Sequence, residues 1–262
     1  MNNYNHFLKK YKIYTIISLS IAFAIWQLVA VFIVKNSFIL PSFTDTITSL
    51  YNLIRSMEIL SDLVISMYHF VIGMFFAIIV GLPIGMAMGW FKKVDYFMDP
   101  LIELLRPIPP LAWIPFAIVW FGLTHQSAGF IIFIGAFFPI LTNTYSGFSS
   151  VPKTLVEAAM VLGCTKNIDL LKSVGMPSSF PDIAVGLRVA MGIGWMCLVA
   201  AELFGVSKEG LGYKIWWYYY LHRMDNVLSY MIALGLIGLG INWAFRYIVE
   251  KELLKWMEGT VY

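Results

Sequence analysis

The chain has 262 residues, of which 60% are hydrophobic and only 13% charged, with a formal net charge of +3. Soluble domains carry about 25% charged residues, so this composition calls for lipid as the solvent. The small positive excess is too scattered for a nucleic-acid footprint and reads as membrane orientation.

The first apolar run, Ile13 to Val34, follows Lys9, Lys10 and Lys12 and has no small-residue cleavage pattern, so it is expected to remain as a membrane anchor. As a helix it covers roughly 33 Å, enough to cross the hydrocarbon core. Further apolar runs predict spans at about 63–90, 101–122, 128–148, 182–204 and 227–249. The fold class is therefore an all-α membrane protein with about six transmembrane helices, arranged as a single domain over 1–262.

With the N-terminus inside, the inner segments hold Lys9, Lys10, Lys12, Lys92, Lys93, Lys153, Lys166, Lys172, Arg246, Lys251 and Lys255. The outer ones hold Lys35, Arg55, Lys208, Lys214 and Arg223. The positive-inside bias thus predicts both termini in the cytoplasm. The polar stretch Lys35 to Asp62 carries Ile47, Leu50, Tyr51 and Ile54 and suggests a helix on the outer surface. In the second outer segment, Trp216, Trp217, Tyr218, Tyr219 and Tyr220 read as an interfacial belt.

Gly73, Ala77, Gly81, Gly85 and Gly89 recur every fourth residue and form one small-residue stripe on the second span. Gly186, Ala190 and Gly194 repeat the pattern in the fifth. The third span is crowded by Arg106, Pro107, Ile108, Pro109, Pro110 and Pro115, where each proline removes a helical donor. Two readings stand: a broken helix lining a cavity, or a cytoplasmic lead-in before a shorter helix from about Leu111. A charge inside a span must face protein or water. That applies to Arg188, for which structural pairing and substrate contact are both open, while Glu202 is expected near a helix end with ready access to water. Arg106, Pro109, Pro110, Arg188, Trp195 and Glu202 are the candidates for lining a path.

Cys164 and Cys197 form no metal-ligand spacing, and no metal site is expected. The histidines His6, His69, His125 and His222 are scattered, and neither HExxH nor GxSxG occurs, which leaves an intramembrane hydrolase without its machinery.

The segment 149–177, on the inner side, is too long for a simple connection. Ser149 to Gly163 reads as a capped helix with proline in its first turn and glycine at its end. A second short helix follows, capped by Thr165, with Ile168, Leu171 and Val174 at helical spacing and stopped by Gly175 and Pro177. Two short helices joined by a glycine turn make a knob that a soluble partner can grip.

These residues resemble a known family. Glu157-Ala158-Ala159, Gly163 and Met176-Pro177 look like the EAA motif of permease subunits in type I ATP-binding-cassette importers. The likeness extends through Arg106 to Pro115, Trp120-Phe121-Gly122, Gly186 to Ala190, Gly194-Trp195, Ala200-Ala201-Glu202 and Gly210 to Tyr213. It is similar to the subfamily handling nitrate, sulfonates, taurine, bicarbonate and thiamine precursors. Two departures occur: Pro177 lies one residue further from Gly163 than is usual, and Met176 replaces a leucine.

The resemblance implies an ATPase dimer seated at Glu157, Ala158, Ala159 and Gly163, with ATP and magnesium held by that partner and no cofactor in this chain. It also implies an extracytoplasmic substrate-binding protein, a second permease copy and a bacterial inner-membrane location. The chain itself would catalyse nothing. A stand-alone secondary transporter or channel is the rival reading, and it has no use for a docking knob.

Overall fold

The computed structural model describes residues 2–253; Lys255 and the C-terminus, which the charge pattern assigns to the cytoplasm, lie outside the described residues. Those described are helical with no strand. The chain divides into two compact units, residues up to Ser61 with Lys214–Ala233, and Asp62–Tyr213 with Leu234 onward.

In the first unit, α1 (Asn2–Leu28) widens into a π turn at Val29–Val34 and ends at Lys35, which is left-handed at φ 52°. The expected surface helix forms as α2 (Phe43–Arg55). Ser42 caps it, its hydroxyl accepting from the Asp45 amide at 3.1 Å and donating to the Asp45 carboxylate at 2.7 Å. Phe43 stacks on Phe23 at 4.8 Å, and the Trp26 indole donates to the Pro41 carbonyl at 3.1 Å, so α2 folds back on the end of α1. The aromatic run is helical, in α10 (Leu211–Tyr220). Helix geometry sorts its rings: Trp216, Trp217, Tyr219 and Tyr220 are exposed, whereas Tyr218 is buried against Tyr230 and donates to Glu58 at 2.8 Å.

The second unit is built on α3 (Glu58–Trp90), α6 (His125–Ser149) and α9 (Met176–Leu203). The small-residue stripe of α3 lies along α6 over four turns. A Cβ on Gly73 would stand 2.5 Å from the Ile132 Cβ, one on Gly85 2.6 Å from the Leu141 carbonyl, and one on Gly89 2.5 Å from the Phe148 Cβ. Only glycine admits such an approach, and it replaces side-chain interdigitation by backbone proximity. On its other side α6 meets α9 in the same way: a Cβ on Gly186 would stand 2.7 Å from that of Asn143, and Gly135 leaves room for the Cys197 sulfur. Phe70, Met74, Ala77, Ile132, Ala136, Ile140, Ala190 and Leu198 form the resulting core.

The third predicted span is not one straight helix. Helix α4 (Lys92–Leu105) ends at Arg106; after the prolines a 3-10 turn (Pro110–Trp113) leads into α5 (Ile114–Phe121), and the two arms bend by 85°. Prolines 107, 109 and 110 withhold the donors a continuous helix needs. Among the described residues, five helices are long and apolar enough to cross a membrane, or six if the bent pair counts as one.

The expected stop at Gly175 and Pro177 does not occur. α8 (Asn167–Leu170) passes through a π turn (Leu171–Gly175) directly into α9, and Asn167–Leu203 is one apolar helix of 37 residues. Pro177 falls in the first turn of α9, where its missing donor costs little. The π turn sits between Gly163 and Pro177, in the segment that the resemblance reads as one residue longer than usual. A π turn accommodates one extra residue without breaking the helix.

Candidate functional site

Between α6 and α8 the chain makes α7 (Lys153–Val161). Its N-cap is Pro152 rather than a serine, and no side chain caps it; the next helix likewise starts after Lys166, without help from Thr165. The serines cannot cap because α6 runs on through Ser149 and holds Ser150 in a helical conformation, its hydroxyl donating back to the Gly147 carbonyl at 3.0 Å.

At the other end of α7, Gly163 adopts φ +99°, a region that residues with a Cβ rarely adopt. Its amide donates to the Met160 carbonyl and the Cys164 amide to that of Ala159, both at 3.0 Å, which closes the helix and turns the chain. Glu157, Ala158 and Gly163 are exposed and Ala159 half-buried. Beside them Val161 is 88% and Leu162 86% exposed, and Leu155, Met160 and Ile168 are exposed too. This is an apolar surface on a short helix with no cover from its own chain.

Of the remaining candidates, all but Pro109 fall into two clefts and one buried cluster. Arg106 and Pro110 line a cleft of about 320 Å³ with Thr142, Asn143, Val189 and Ile193. Pro139 lies within α6 beside it, and its carbonyl accepts from the Asn143 side-chain amide at 2.8 Å. Arg188 and Trp195 line a second cleft of about 530 Å³ with Met191, Leu234, Gly238 and Asn242, and share Val189 and Ile193 with the first. Gly238 makes room for Trp195: a Cβ there would stand 2.9 Å from the indole nitrogen. Pro109, exposed at the head of the 3-10 turn, lines neither cleft.

Glu202 departs most from expectation. It has no access to water at all, being 0% exposed. Ser66 donates to both its carboxylate oxygens at 2.9 Å, His69 Nδ1 lies 2.8 Å away, and the Gly212 amide donates at 2.8 Å. His69 Nε2 in turn meets His125 Nδ1 at 2.7 Å. Two of the histidines that look scattered in the sequence are thus brought together. Thr142 and Asn143 were also missed, although two polar side chains one helical turn beyond a proline in an apolar span are a readable signal.

Comparison with known proteins identifies the family. Residues 73–251 match the family described as binding-protein-dependent transport system inner membrane component. A chain named as an ABC transporter permease of Methanocaldococcus jannaschii is 47% identical over 236 residues, 88% of each chain. An aliphatic sulfonates transport permease of Bacillus subtilis is 33% identical over 90% of this chain and 85% of its own. The taurine transport permease of Escherichia coli is 33% identical over 73% of this chain and 68% of its own. Among solved structures, an inward-facing methionine ABC transporter aligns with TM-score 0.61 at 20% identity, covering 74% of this chain and 95% of that one, which supports the shared fold. The chain belongs to the binding-protein-dependent transport system inner membrane component family, and is a multi-pass permease subunit of an ABC importer.

Proposed function

We propose that α7 and the Gly163 turn form the surface on which the importer's ATPase seats, and that the two clefts beside α9 belong to the solute path. The observation that carries this reading is the exposure of Val161 and Leu162, at 88% and 86%, on a structured helix that its own chain leaves uncovered. An apolar patch on a short, rigid protrusion is what a partner's cleft buries. Glu157 adds a charge at its rim, and Ala158 and Ala159 allow close approach. Nucleotide-driven closure of an ATPase pair would carry α7 with it and rock the packed helices between inward-open and outward-open forms.

In this arrangement both termini and the 149–177 segment face the cytoplasm, following the lysine and arginine bias. Two copies of the chain, an ATPase pair and an extracytoplasmic binding protein make the working assembly. Relatives named for sulfonates, taurine and bicarbonate point to a small anion as solute, and Arg106 and Arg188 supply positive charge in the clefts.

Gly163→Asp tests the docking surface. Reconstituted with its ATPase and binding protein, the variant should insert normally but lose coupling, with uptake falling at least about tenfold while ATP hydrolysis persists or falls separately. Normal uptake would refute the assignment.

A further inference from the structure

We propose that His125, His69 and Glu202 form a binding site for a single proton that clamps the loop between α9 and α10. The Ser66 hydroxyl at 2.9 Å and the Gly212 amide at 2.8 Å donate to the Glu202 carboxylate, and His69 Nδ1, 2.8 Å away, donates to it in the Nδ1–H tautomer. With His69 in that tautomer all three neighbours are donors, and the arrangement suits a carboxylate. Ser66 completes the pattern by accepting from the Leu211 amide at 2.9 Å. Leu211 and Gly212 open α10, where amides have no partner within the helix. The cluster therefore holds the start of α10 to the end of α9. Gly210 and Gly212 make room for it, since a Cβ on either would run into Glu202.

With Nδ1 committed to Glu202, His69 has only Nε2 left, and this faces His125 Nδ1 at 2.7 Å. Two states satisfy that contact. In one, His69 is neutral and His125 Nδ1–H donates to it; in the other, His69 is an imidazolium and its Nε2–H donates to His125. They differ by one proton. Only the second neutralises a carboxylate that, like His69, is 0% exposed, and an uncompensated buried charge is strongly disfavoured. His125 is exposed, so it connects the buried pair to water through one imidazole.

The surrounding elements add few other titratable or charged groups. Tyr68 on α3 sets its ring edge-on to His125 at 5.7 Å. Asp62 is buried one turn before Ser66 on the same helix. Lys208 and Glu209 on the loop are exposed, and Tyr213 follows in α10. The clamped state holds one more proton than the released state, so the clamp weakens as pH rises. The inference does not depend on which membrane face the cluster occupies or on the docking role of α7.

Amide hydrogen exchange of residues 203–213 in the assembled wild-type transporter, followed from about pH 5.5 to about pH 8.5 and corrected for intrinsic rates, tests this. Protection of Leu211 and Gly212 should fall by about tenfold across that range. In Glu202→Gln and His69→Gln it should lose its pH dependence. A flat wild-type profile overturns the proposal without reference to any variant, and so does a Glu202→Gln profile matching wild type.

Discussion

The glycines of the α3–α6 interface and the glycine that ends α7 do opposite things. Along α3, Gly73, Gly85 and Gly89 have ordinary helical backbones and no spare room, with α6 atoms standing within 2.5 to 2.6 Å of an added Cβ. At Gly163 nothing lies within 4 Å of an added Cβ, yet the backbone is at φ +99°. In the first region the missing side chain is a matter of volume; in the second it is a matter of dihedral angle. Substitution therefore damages the first by collision and the second by strain, and the two can be separated by measurement.

The largest effect should come from Gly89→Leu, which drives a side chain into Phe148 and costs about 3 kcal/mol or more of helix packing. Thermal denaturation followed by size-exclusion chromatography should show a fall in the melting point, and an unchanged melting point would mean that α3 and α6 are not in contact. Val161→Asp with Leu162→Asp should leave that melting point alone, because both side chains face outward. Binding of the ATPase should instead weaken by ~2 kcal/mol, about thirtyfold, in a titration of purified partners. The smallest effect belongs to Gly163→Ala, which meets no neighbour and pays only for the backbone, about 1 kcal/mol. Gly163→Asn should be milder still, since asparagine tolerates positive φ better. If alanine and asparagine prove equally harmless, the turn is not held at that angle.

How much of this is legible in the sequence depends on the distance over which each feature is encoded. The α3 stripe has a strict four-residue period, and the proline cluster acts on its own backbone, so both could be read from the sequence, as could the turn at Gly163. The stop at Gly175 and Pro177 was misread because the same two residues can end one helix or begin the next. The π turn at Leu171–Gly175, which settles the matter, has no one-residue signature. Ser149 and Ser150 looked like caps because nothing local shows that α6 continues through them. The Glu202 cluster was invisible for a different reason. His69 and Glu202 are 133 positions apart, and His69 and His125 are 56 apart; only the packing of α3, α6 and α9 makes them neighbours.

The helix from Asn167 to Leu203 is unbroken over 37 residues, roughly 55 Å of length against a hydrocarbon layer of about 30 Å. Its first turns adjoin α7 and its last carries Glu202. Such a rod, with one π turn near its base, has the reach of a boom: leaning it by about 10° sweeps its tip through ~10 Å, so a small displacement at the α7 end is a wide excursion at the Glu202 end.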